Sequence, residues 1–195
     1  MDRTDKLNVF YLVSFLAILI WSGIAPYDRF TWYLEVAPAV AGLLALAAVY
    51  RRFCFTRLVY LLCWIHAIIL VVGGHYTYAR MPLFDWLSQA WDLGRNHYDK
   101  LGHLAQGFIP AMVAREVLIR NRVVGRRGWL AVIVTALCLA MSALYELIEW
   151  WVAELTGTAA EDFLGTQGYV WDTQSDMGPV PFGGHGGPAH AIASA

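Results

Sequence analysis

The sequence has little charge, and its last third has no positive charge at all. Lys, Arg, Asp and Glu make up 15% of the 195 residues, against roughly a quarter in water-soluble domains. All 14 Lys and Arg lie at or before Arg127, and every charged residue beyond it is acidic. With a net charge of -1, the chain has no basic surface of the kind nucleic acid requires, so nucleic acid is excluded as a partner.

Cysteine is scarce as well. Cys54, Cys63 and Cys138 are odd in number, fall in or beside apolar runs and form no CxxC or zinc-type spacing. That excludes a disulfide framework and a zinc module, and the three read as small buried hydrophobes without a redox role. HExxH and GxSxG are absent too, and the glycines of LGTQG (164–168) make neither a P-loop nor a dinucleotide fingerprint. The tail stretch WDTQSD (171–176) resembles a calcium loop, but Met177 and Gly183 stand where an EF-hand needs Gly and Glu.

What the chain has in quantity is apolar surface: 58% hydrophobic residues and a mean hydropathy of +0.49. A membrane span takes about 20 mostly apolar residues. Five such runs, 7–25, 31–50, 57–74, 101–119 and 129–151, predict an all-α polytopic bundle over residues 1–177. The first is read as a retained helix and not a signal peptide, because no small-residue cleavage site follows it. PLFDWLSQAWDLG (82–94) repeats Leu83, Trp86, Leu87, Ala90 and Trp91 at helical spacing, as an amphipathic helix lying in the interface would.

Positive charge in short loops marks the cytoplasmic side. Arg3 and Lys6, then Arg51, Arg52 and Arg57, then Arg120, Arg122, Arg126 and Arg127 fall on one side; Arg29, Arg80, Arg95 and Lys100 fall on the other. The amino terminus is therefore expected inside and the tail outside. Arg115, Glu116 and the arginines that follow are expected to contact anionic headgroups.

With this topology, the ionisable residues of separate spans gather at the outer face. Asp99, His103, Gln106 and Pro110 share one face of the fourth span, and Ser142, Glu146 and Glu149 one face of the fifth. A carboxylate facing lipid near the bilayer centre costs at least ~2.5 kcal/mol, so these stripes should face each other or water. Two glutamates one turn apart repel. One then binds a proton, pairs with His103 or Lys100, or shares a metal ion. Three readings stay open: a divalent metal held by His103, Glu146, Glu149, Asp172 and Asp176; an acid/base site of His103, Glu146, Glu149 and Asp99; or interhelical hydrogen-bond glue. The acidic segment with Glu161, Asp162, Asp172 and Asp176 emerges on the same side, and is read either as a turn returning over the pocket or as a solvated loop. His66, alone mid-span, reads as a core histidine, and Glu35, with Pro38 a turn later, either lines the cavity or snorkels to the headgroups.

Taken together, GGHYTYARMPLFDW (73–86), HYDKLGHLAQGFIPAMVAREVL (97–118), SALYELIEWW (142–151) and DFLGTQGYVWDTQSDM (162–177) resemble the YjdF-like family of bacterial inner-membrane proteins. That likeness implies a multi-pass membrane protein and no particular activity. A fainter similarity to VanZ-like proteins rests on Asp99, Lys100 and His103, then Glu146 or Glu149, then Asp172 or Asp176, and implies an envelope role with an envelope or lipid-linked substrate. After Met177 the chain departs from the YjdF-like pattern. GPVPFGGHGGPAHAIASA (178–195) is too short and too polar to span, and is expected to be a disordered tail left by truncation or a frame change.

Overall fold

The computed structural model describes residues 3–157 together with Phe163, Thr173 and Met177. Six α-helices and one 3-10 turn account for them: α1 (Arg3–Ser22), α2 (Arg29–Val49), α3 (Arg57–Tyr76), the turn Tyr78–Arg80, α4 (Pro82–Trp91), α5 (Tyr98–Arg120) and α6 (Arg127–Thr156). Three of the helices start where the sequence supplies a start signal. Asp28 accepts from the Thr31 amide at 2.6 Å, Thr56 caps α3 through the Val59 amide, and Pro82 sits in the first turn of α4.

Hydrogen bonds from backbone amides hold the Asp28 carboxyl below the usual carboxylate range. Its folded pKa is depressed, so its contribution is present above the ordinary value and is lost as pH falls through the lowered one. Asp28→Ala is expected to cost about 1 kcal/mol at neutral pH, read as a lower unfolding midpoint, with the difference vanishing in acid.

α1, α2, α3 and α6 are long and apolar enough to cross a membrane. α5 has the length, at 23 residues, but its polar stripe makes it the least apolar of the long helices. Four candidate spans plus this fifth long helix match the expected bundle, and α4 stands where the amphipathic helix was expected, with no buried residue and with Leu83, Trp86 and Trp91 exposed.

α3 is the hub: α1, α2 and α5 pack on it, and α6 packs on α5. The α5–α6 connection is tighter than the spans implied, residues 121–126, so the two are neighbours as expected. Phe15, Val36, Ala39 and Val71 lock the first three helices, and Ala111, Val134 and Cys138 lock α5 to α6. The outward faces remain apolar: Val9, Phe10, Leu44, Val132 and Leu147 are all exposed, as expected of a surface solvated by acyl chains.

Two expectations are corrected. Cys54 is exposed beside α3, whereas Cys138 is buried; in the 50–56 loop it is Phe53 and Phe55 that pack into the core, and Cys54 between them faces out. Glu116 does not reach headgroups. It is fully buried, accepts from the Thr56 amide (2.9 Å) and hydroxyl (2.7 Å), and pairs with Arg120 at 2.7 Å. The carboxylate joins the end of α5 to the start of α3, which gives it partners that a headgroup position would lack.

Candidate functional site

Alternating helix directions bring the ends of α1, α3 and α6 and the starts of α2 and α5 to one end of the bundle. Short contacts fix that end. The Tyr27 amide donates to the His75 carbonyl (2.9 Å), His75 Nδ1 lies 2.9 Å from the Ser22 carbonyl oxygen, and the Tyr98 hydroxyl donates to the Ile69 carbonyl (2.8 Å). Asn96 joins α4 to α5: its Nδ2 donates to the Met81 carbonyl and to Asp85, and its Oδ1 accepts from the Tyr98 amide.

Asp99 and His103 meet as the i, i+4 spacing requires, with His103 Nε2 3.5 Å from Asp99 Oδ1 and the residues 6% and 5% exposed. Glu35 of α2 lies within electrostatic reach of both and is 3% exposed. Tyr145 of α6 lies among Glu35, Glu149, Asp99 and Glu146. Residues from α2, α5 and α6 thus converge. At 1.5 Å per residue, Glu35 lies about 9 Å, His103 about 8 Å and Glu149 about 10 Å along its helix from that end. The sealed part holds Glu35, Asp99 and His103, while Glu146 and Glu149 are only partly buried. Ser142 is buried on the same stripe of α6, and Gln106 is partly buried on α5.

Glu35, which the sequence left between the cavity and the headgroups, lies in the cluster, and Tyr78 is a site residue that spacing alone did not reveal. Gly73 and Gly74 of α3 bring them in. A Cβ on Gly74 would stand 3.1 Å from that of Glu35, so α2 approaches α3 as closely as backbone permits, and a Cβ on Gly73 would overlap the Tyr78 ring. The opposite edge of that ring lies against Gly102 of α5. Tyr78 is aimed inward by Thr77, a buried β-branched residue at φ +57. Such backbone costs about 1–3 kcal/mol and persists only where the surroundings enforce it. Burial first, and then the nearby Glu35 carboxyl, push the Tyr78 hydroxyl well above the phenol range, so it stays protonated at any physiological pH. The signal available in sequence was the GG pair before an aromatic-rich turn.

Gly73→Ala is expected to displace Tyr78 and lower stability by about 1–3 kcal/mol, an overpacking cost, measured as a lower thermal midpoint in detergent. Gly42→Ala, with open space around its Cβ, is expected to leave the midpoint unchanged or higher.

Among the described residues, no three His, Cys, Asp or Glu side chains are grouped so as to hold a metal ion. The two other metal candidates, Asp172 and Asp176, lie outside the described residues, as do Glu161, Asp162 and the 178–195 tail. One described residue of the segment after α6, Phe163, is buried with its ring 6.5 Å from that of Tyr145.

A family model described as "Predicted membrane protein (DUF2238)" matches residues 7–185. The inner membrane protein YjdF of Escherichia coli (strain K12) is 52% identical over 180 residues, which cover 91% of this chain and 86% of that protein. No solved structure matches.

Proposed function

The chain belongs to the DUF2238 family of predicted membrane proteins and is a multi-pass inner-membrane protein, and we propose that it carries an acid/base site at the periplasmic face that acts on an envelope or lipid-linked substrate. The observation behind this reading is the buried Asp99–His103 pair, met by carboxylates from two other helices. Lys and Arg concentrated at the opposite end support the periplasmic orientation.

In this reading His103 is the general base. Asp99, at its Nε2, orients the ring and stabilises the imidazolium formed when a proton is taken up. Glu146 and Glu149, nearer the surface, exchange protons with solvent, and Lys100 offsets negative charge developing at the mouth. A conduit for protons or solutes is disfavoured, because Ile109, Met112, Val134 and Cys138 form an apolar layer between this cluster and Glu116 at the other end.

The test is a strain lacking this protein, with its envelope lipids profiled by mass spectrometry. Wild type is expected to reverse any accumulated species and His103→Ala is not; equal rescue by His103→Ala and Glu149→Gln would overturn the reading. A chelator is expected to leave the unfolding midpoint of the purified protein unchanged, and added zinc or manganese likewise. A metal-dependent rise in the midpoint would instead favour a divalent ion held by His103, Glu146 and Glu149 with Asp172 and Asp176.

A further inference from the structure

Among the described residues two glutamates are deeply buried, and they are treated differently. Glu116 is satisfied by three hydrogen bonds, from the Thr56 amide, the Thr56 hydroxyl and Arg120. Glu35 is 3% exposed, yet its Oε2 has no aligned hydrogen-bond partner among the described residues, and neither does the neighbouring Tyr78 hydroxyl. The Ser142 hydroxyl, 1% exposed on α6, is in the same state. Buried polar atoms are paired in the great majority of cases, so each orphan calls for a cause. A purely structural Glu35 would have been given partners as Glu116 was.

The backbone also commits resources to these two groups: a glycine pair on α3 facing Tyr78 and Glu35, a third glycine against the other edge of the Tyr78 ring, and a strained threonine before it. The surroundings then set what fits. Carboxyl groups crowd this part of the bundle: Asp99, Tyr78 and His103 lie within electrostatic reach of Glu35, and Tyr145 lies among Glu35, Glu149, Asp99 and Glu146. A phosphate or carboxylate would meet carboxyl groups, whereas an N–H or O–H donor would fill the open Oε2 of Glu35.

We infer that Glu35 and Tyr78 form the floor of the outer-face site and select a hydrogen-bond-donor head, an ammonium or a hydroxyl, over an anionic or donor-free one. This deepens the acid/base reading and rests on its placing of the site. Glu35 accepts from the ligand, and Tyr78, locked between Gly73 and Gly102, fixes the direction of approach. An ammonium can come from an aminophospholipid and a hydroxyl from a glycolipid; the recognition chemistry is the same.

The test is lipid binding by native mass spectrometry of the full chain released from detergent. The probes share dioleoyl chains and differ in head: phosphatidylethanolamine, phosphatidylcholine, phosphatidylglycerol and glucosyl diacylglycerol. Ethanolamine or glucosyl lipid is expected to bind about tenfold more tightly than choline lipid, as one hydrogen bond predicts. Glu35→Gln and Tyr78→Phe, which keep side-chain shape, are each expected to remove that preference while the unfolding midpoint stays near wild type. Preference for the ethanolamine head identifies the ammonium, and preference for the glucosyl head the hydroxyl; both support the inference. Equal binding of all four heads, tightest binding of phosphatidylglycerol, or a preference that survives both substitutions would overturn it. No turnover is read here, so loss of the acid/base reading would show separately, as unchanged rescue by His103→Ala beside an intact head preference.

Discussion

Glu116→Ala is expected to destabilise the protein by about 3–5 kcal/mol, the range for breaking a buried, hydrogen-bonded charge network, and to sharply reduce its yield in membranes. The Thr56 amide and hydroxyl lose their acceptor at the start of α3, and a cavity opens where the side chain was fully buried. Arg120 contributes less to the loss. It is 39% exposed, also donates to the Cys54 carbonyl and stacks on Phe53 at 4.2 Å, and a pair this open to solvent is screened. Glu116→Gln keeps the shape and one acceptor and is expected to cost about half as much. Unfolding midpoints of the two variants and of Arg120→Ala check the ordering, with Glu116→Ala lowest. A midpoint for Glu116→Ala equal to wild type would mean that the α3–α5 clamp carries no stability.

The second large effect is functional. On the proposed acid/base reading, Asp99→Asn and His103→Ala are each expected to lower the rate of substrate conversion in membranes by about 10²-fold or more, the usual contribution of a positioned acid or base, with little change in the amount of folded protein. Because that reading makes His103 and Asp99 one unit, the double variant is expected to be no worse than the weaker single variant. His66→Ala serves as the control: His66 lies mid-span on α3, apart from the polar end, and its substitution is expected to leave the rate unchanged.

Much of this architecture was legible from residue order alone. Apolar runs of spanning length fixed the bundle, alternating direction placed Asp99, His103, Glu146 and Glu149 at one end, and i, i+4 spacing paired Asp99 with His103. These follow from helix periodicity, a local property. Glu35 stayed open between the cavity and the headgroups, and Tyr78 was not legible at all, because their positions depend on how closely α2 approaches α3 at Gly74 and on a positive φ at Thr77. Spacing along one helix carries no information about either. Glu116 was misjudged for the same reason: its partner Thr56 is 60 residues away, and a Glu beside Arg115 near a helix end looks like a headgroup contact until that partner is seen. Cys54 shows the smaller version of the error, since adjacency to an apolar run does not place a loop residue inside the core.

The central claim is that Glu35 of α2 and Asp99 of α5 share one buried site. Cysteine cross-linking in native membranes tests it most directly. Cys54, Cys63 and Cys138 are replaced by serine or alanine, then Glu35→Cys is combined with Asp99→Cys and treated with a short thiol-bridging reagent or mercuric ion. After cleavage at an engineered protease site in the 92–97 loop, the fragments are expected to remain joined under denaturing conditions. Fragments that separate fully, while a Gly74→Cys and Val36→Cys pair in the same background stays cross-linked across a cut in the 50–56 loop, would contradict the shared site.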